Sequence, residues 1–169
     1  MVSAARVTAP RKRRIQSGRQ FVAVDIENVV GGAVHCAAMT TWAYAQVQEM
    51  ACLAVGDHVV VGTSRFGMPH IGWDWPGARI VMQSGPDGAD LALLDVLAED
   101  IADRFDEVVL FSGDGIFTQA VAALGGAGVK VVVVAHPDGL SKRLAMAAGE
   151  VRLLPARWDA GFGVLGGTA

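Results

Sequence analysis

Val129-Lys130-Val131-Val132-Val133-Val134-Ala135 is apolar at every position but one. A run this continuous reads as a strand buried on both faces, which is what a parallel sheet requires. The same reading extends outward along the chain. Residues 107–111, 78–83, 57–63 and 20–25 form strand candidates upstream, and 150–154 forms a short final one downstream. Between them, 33–54, 88–104, 115–125 and 139–148 read as helices, with Gly56 stopping the first. Residues 64–77 hold Pro69, Pro76 and three glycines and read as a loop. Repeated strand–helix units predict an α/β fold: a doubly wound, mostly parallel sheet of five or six strands with helices on both faces.

The chain has 169 residues, the size of one domain with tails, and its hydrophobic content of 52% is enough for a sizeable core. Charge is unevenly spread. Arg6, Arg11, Lys12, Arg13, Arg14 and Arg19 lie in the first 20 residues without a single acid. From residue 20 onward, 8 basic residues face 17 acidic ones, a net of −9. Residues 1–19 therefore read as a disordered basic arm, either merely solvated or able to hold phosphate through residues such as Arg13. The folded domain is expected over 20–157, and the Gly-rich 158–169 is expected to be a flexible tail. Cys36 and Cys52 match no disulfide framework or metal spacing and read as reduced core residues. No stretch has the length of a membrane span or the pattern of a secretory signal, so a cytoplasmic protein without membrane contact is expected.

Three aspartates stand where strands end or helices begin. Asp25 closes Phe21-Val22-Ala23-Val24-Asp25, Asp114 follows Val108-Val109-Leu110-Phe111-Ser112-Gly113, and Asp90 opens Asp90-Leu91-Ala92-Leu93-Leu94. Each alone has a plain structural reading: Asp25 as a turn residue, Asp114 as a helix N-cap, Asp90 as the acid three residues after the N-cap Asp87. Together they share one edge. Asp90, Leu94, Leu97 and Ile101 lie on one helical stripe, which puts Asp90 at the top of the face that packs on the sheet. In a sheet of order 3-2-1-4-5, the first and fourth strands are neighbours, so Asp25 and Asp114 face each other across the crevice at the strand ends. Three acids there repel unless a cation holds them, and carboxylate oxygens suit Mg²⁺ or Mn²⁺. Asn28 and Ser112 are placed to orient a carboxylate, a water or a phosphate oxygen. Asp95 falls about 140° round the helix from Asp90, at the edge of the site. Glu27 reads as a surface acid pointing away from Asp25.

The ordered segments Asp25-Ile26-Glu27-Asn28, Asp87-Gly88-Ala89-Asp90-Leu91 and Ser112-Gly113-Asp114-Gly115-Ile116-Phe117 resemble the NYN domain, a branch of the PIN-like nucleases. The stretches Gly128–Val133 and Ser141-Lys142-Arg143-Leu144 are similar to the closing strand–helix unit of that family. The resemblance covers about residues 20–154. It implies a Rossmann-like three-layer PIN-type fold and a metal-dependent ribonuclease, with Asp25, Asp90 and Asp114 as ligands of Mg²⁺ or Mn²⁺, Asn28 in support and Asp95 as a further acid. One position departs from the family pattern. Its second Asp in S-G-D-x-D-F falls at Ile116, whose side chain cannot bind a metal or its water.

Three functions follow as alternatives. The first is hydrolysis of RNA phosphodiester bonds, an endoribonuclease acting on single-stranded RNA and leaving 5′-phosphates, with Ser112, Arg65 and Arg13 contacting substrate and a homodimer as a possible assembly. The second is an RNA-binding or regulatory module without turnover, motivated by Ile116. The third is a phosphatase of haloacid-dehalogenase type on Asp25-x-Glu27, which leaves Asp90 without a role. Trp73 and Trp75, beside His70, read as a core cover or as stacking faces for bases. His35, His58, His70 and His136 form no metal spacing.

Overall fold

Alternation along β1 (Gln20–Asp25) divides the interior in two. Phe21 and Ala23 face one side of the sheet, Val22 and Val24 the other, and all four are buried. The computed structural model describes residues 18–72 and 75–159. The strands β2 (His58–Gly62), β3 (Arg79–Val81), β4 (Glu107–Phe111), β5 (Lys130–Ala135) and β6 (Glu150–Leu153) join β1 in one sheet of order β3-β2-β1-β4-β5-β6. Every pairing is parallel. As the valine run of β5 demanded, both faces are covered.

On one face α1 (Ile26–Val30) and α2 (Ala37–Ala51) bring Ile26, Val29, Met39, Ala43 and Val47 onto Val24, Phe111 and Val134. On the other, α3 (Gly88–Leu97), α4 (Ile101–Arg104), α5 (Thr118–Gly126) and α6 (Lys142–Ala147) bring Leu93, Val96, Ile101, Val121 and Leu144 onto Phe21, Leu110 and Val133. Burying each such side chain stabilises the fold by about 1.5–3 kcal/mol. The chain changes direction across the sheet between β1 and β4, and a crevice opens above their C-terminal ends, as in other sheets of this order. Among the described residues no helix is long and apolar enough to cross a membrane.

Several expected elements differ in detail. Residues 26–30, given no element in the sequence reading, form α1. It starts on Asp25, whose Oδ1 accepts the Asn28 N–H at 3.2 Å, and stops at Gly31 in the left-handed region. The helix expected over 33–54 is the shorter α2, ending where Cys52 takes a φ of 51°. Cys52 is exposed and Cys36 only partly buried, so neither is a core residue; both are free thiols. The 88–104 helix breaks after Leu97. Glu99 and Asp100 would place two acids at the negative end of the helix dipole, and Glu99 instead pairs with Arg79 at 2.9 Å. Helix α5 is preceded by a 3₁₀ turn at Gly115–Phe117.

Residues flanking 20–157 also make contacts with the domain. Gly18 N–H donates to Asp106 at 3.1 Å and Arg19 lies 5.6 Å from the Phe105 ring centre. Trp158 packs edge-on against Trp42 at 6.0 Å and donates its backbone N–H to Val30. The rest of the basic arm, with Arg13, lies outside the described residues, as does the tail from residue 160.

Candidate active site

The parallel register pairs Val24 of β1 with Phe111 of β4, so Asp25 and Ser112 leave the sheet side by side. The Ser112 hydroxyl donates to Asp25 Oδ2 at 3.2 Å and accepts the Asp114 N–H at 3.2 Å. Ser112 is fully buried, so it orients Asp25 rather than touching a substrate, as had been expected of it. Asn28, on α1, accepts the Gly113 N–H at 3.2 Å and ties the loop after β4 to the loop after β1. A Cβ on Gly113 would lie 2.3 Å from the Gly139 carbonyl oxygen, so only glycine lets the loops after β4 and β5 meet. Gly113→Ala is expected to lower stability by about 1–3 kcal/mol, read as a lower urea midpoint, because backbone rather than a flexible side chain must give way.

Asp90 enters from the third side. Gly62, at the end of β2, allows α3 to approach so closely that a Cβ there would meet Leu93 at 2.6 Å. The N-terminal turn of α3 is thereby held over the sheet edge, though its buried stripe is Ala92, Leu93, Val96 and Leu97 rather than the stripe read from Asp90. Asp90, half-buried, stands close enough to Asp25 for the two carboxyls to feel each other's charge. Burial, then the Asp90 charge, pushes the Asp25 carboxyl from 3.8 up to about 8, against the opposing hydrogen bonds from Asn28 and Ser112. Burial, then the Asp114 and Asp87 charges, pushes Asp90 up to about 6. Two such carboxyls share a proton readily, because neither is solvated well enough to ionise beside the other.

The expected convergence of three ligands is only partly met. Asp114 is exposed, and its Oδ1 caps the following turn by accepting the Ile116 N–H at 2.8 Å. It raises the Asp90 pKa through space but does not line the cleft. Among the described residues no three Asp, Glu, His or Cys side chains close on a single ion position. Asp95 is exposed and accepts from Gln83 Nε2 at 2.6 Å; it does not itself line the cleft. Ile116 is 37% exposed, so the missing family acid leaves an apolar spot on the rim.

Glu27 corrects the sequence reading most. Because α1 begins at Ile26, Glu27 turns into the cleft instead of alternating away. Its Oε1 accepts from Ser64 N–H at 2.9 Å and the Thr63 hydroxyl at 3.2 Å, while Oε2 is buried without a partner. A carboxylate oxygen left dry and unpaired beside Asp25 and Asp90 is a donor short of a cation. The donor set is entirely hard oxygen, which fits Mg²⁺ or Mn²⁺. Magnesium keeps several waters and needs only one or two carboxylates with phosphate oxygens, so the Asp25–Asp90 pair is sufficient without a closed cage.

The cleft around these groups measures about 780 Å³. Arg65, Phe66, Gln83, His136 and Arg157 line it alongside the acids. His136 is buried after β5 and holds the Val29 carbonyl through Nε2–H at 2.9 Å. Arg157 pairs with Asp138 at 2.6 Å. Sequence reasoning missed Glu27, His136 and Arg157. For His136 the available signal was its position directly after the buried strand, at the same sheet edge as Asp25. Trp75 packs against Tyr44 at 5.1 Å and is buried, so it covers the core and does not stack on bases; Trp73 lies outside the described residues.

Residues 76–154 match the NYN domain model, a span that holds Asp90 and Asp114 but not Asp25. A solved structure of a protein of unknown function from Vibrio parahaemolyticus is similar, with a TM-score of 0.54 at 20% identity over 80% of this chain and 92% of that one. At that identity it supports the α/β fold alone. No curated protein matches the chain. NYN domains are nuclease-like hydrolases that generally use divalent metal ions, and the family points to RNA as substrate. Residues 76–154 thus resemble the NYN domain, and the first strand, outside that span, delivers Asp25 to the same crevice.

Proposed function

We propose that the chain is a ribonuclease that hydrolyses RNA phosphodiester bonds with Mg²⁺ or Mn²⁺, acting within single-stranded segments. The observation that carries this is the close pair of carboxyls, buried Asp25 and half-buried Asp90, at the β1–β4 crevice of an NYN-like chain. Asp25 and Asp90 would hold the ion, with the free Oε2 of Glu27 and the rim carboxylate of Asp114 as outer partners through water. When bound, a divalent ion lowers the pKa of water and neutralises charge developing on the phosphate. The chain's own part is positioning. Ser112 and the Asn28 N–H fix the Asp25 carboxylate, while Asn28 Oδ1 holds the Gly113–Asp114 loop. Arg65 and Arg157 supply positive charge to a phosphate on an otherwise acidic cleft. The arginine-rich 1–19 segment adds sequence-independent attraction to RNA.

The test is cleavage of single-stranded RNA by purified protein in Mg²⁺ or Mn²⁺, with EDTA as control. Asp90→Asn is expected to lower kcat/KM by more than the roughly 10- to 100-fold that losing an outer-shell partner costs. Ile116 keeps a second reading in view, an RNA-binding module without turnover. RNA binding without cleavage in either metal would establish it. The phosphatase alternative finds less support, since among the described residues no lysine lines the cleft to meet a phosphorylated aspartate.

A further inference from the structure

Phe21, Phe105, Phe111 and Phe117 are all at most 3% exposed, whereas Phe66 is 65% exposed. It stands in the loop between β2 and β3, on the wall of the carboxylate cleft. The Arg65 guanidinium lies over the ring, 4.6 Å from its centre, a cation–π contact that steadies the ring while most of it stays exposed. Gln83, Ser84, Gly85 and Pro86 also line the cleft, a wall too polar to suit an apolar peptide side chain. An aromatic face, two guanidinium groups and a carboxylate pair in one cleft complement the base, the phosphate and the metal of a nucleotide.

We propose that Phe66 is a stacking platform for an unpaired base of the substrate, and that it makes the cleft selective for single-stranded RNA. This rests on the ribonuclease reading for the presence of RNA in the cleft. A base inside a duplex has both faces covered by neighbouring pairs, so it cannot lie on Phe66; a base in a single strand can. Stacking is tolerant of sequence and strongest for purines, so adenine-rich strands are favoured over uridine-rich ones. Arg65, held over the same ring, is placed to meet the phosphate adjoining the stacked base.

The experiment uses full-length wild type, Phe66→Ala, Phe66→Leu and Phe66→Trp. Binding of fluorescein-labelled oligoadenylate is followed by anisotropy in EDTA, as a single strand and annealed to oligouridylate. Cleavage of the single strand is followed in Mn²⁺. Phe66→Ala is expected to weaken single-strand binding and raise KM about tenfold, with kcat little changed. Phe66→Trp is expected to keep wild-type values and Phe66→Leu to behave like Ala, since leucine fills space but offers no ring. Duplex binding is expected to be weaker and indifferent to the substitution.

If Phe66→Ala or Phe66→Leu matches wild type on single strands, the stacking proposal is overturned, and cleavage with unchanged KM leaves the ribonuclease reading standing. If wild type binds single strands in a Phe66-dependent way but cleaves nothing, stacking stands and hydrolysis falls. Wild type that neither binds nor cleaves single strands overturns both.

Discussion

Asp25→Asn is expected to abolish metal-dependent cleavage and, at pH 8, to leave the metal-free domain more stable than wild type. The two effects have one cause. Asp25 is 6% exposed and sits against Asp90, so its ionised form is costly to bury. The raised pKa values of about 8 for Asp25 and about 6 for Asp90 mean that the folded state binds protons more tightly than the unfolded chain. Stability from this pair is therefore fully present below pH 4 and is lost as pH rises through 6 toward 8. Asparagine has the shape of the protonated acid. Its amide can donate to Asp90, replacing the shared proton, while its oxygen still accepts the Asn28 N–H. Urea midpoints measured across pH 4 to 8 should fall for wild type and stay flatter for Asp25→Asn, a gap on the order of a few kcal/mol at pH 8 and near zero at pH 4. Equal pH profiles for the two proteins would show that Asp25 ionises without penalty. The exposed pairs Arg157–Asp138 and Arg152–Glu150 act in the opposite sense, since Asp138 and Glu150 are held below their ordinary values and weaken only in acid.

The sheet was legible because parallel strands are buried on both faces and write themselves as unbroken runs. The valines of β5 and the Phe21–Asp25 segment leave little choice, and β1 beside β4 follows once the order is doubly wound. Helix ends were less legible, because local electrostatics and tight packing decide them. Glu99 and Asp100 interrupt what the apolar period would continue, and Cys52 takes a left-handed turn ahead of the glycine that seemed the natural stop. At the site, Asp25 was legible from its strand end and Asp90 from its helix start, although the stripe read from Asp90 is not the buried one. Glu27 was not, since its direction depends on whether the strand continues or a helix starts at Ile26, a one-residue decision that turns a side chain to the opposite side. Asp114 was placed on the correct loop, but its side chain serves the Ile116 N–H, a competition between capping and ligation that residue spacing does not resolve. Phe66 carries no motif at all. Only its exposure, beside buried phenylalanines, marks it.

Adding Mg²⁺ or Mn²⁺ is expected to raise the melting temperature of wild type strongly at pH 8 and weakly at pH 5. A ligand that binds only the folded state at 100 times its Kd stabilises by about 2.7 kcal/mol. For a domain of this size that corresponds to roughly 5–10 °C. At pH 8 the ion meets carboxylates whose repulsion it relieves. At pH 5 it must displace protons from Asp25 and Asp90, both raised above that pH, so its apparent affinity falls. Asp25→Asn should lose most of the shift at both pH values, having lost the charge and a ligand oxygen. Ile116→Asp should enlarge it at pH 8, because a carboxylate next to Asp114 restores the acid the family pattern places there. Screening by salt imitates none of this: Na⁺ at matched ionic strength acts on exposed charges, while Asp25 lies beneath the surface. A shift equally large in Asp25→Asn would place the ion elsewhere on the domain and remove the carboxyl pair from the mechanism.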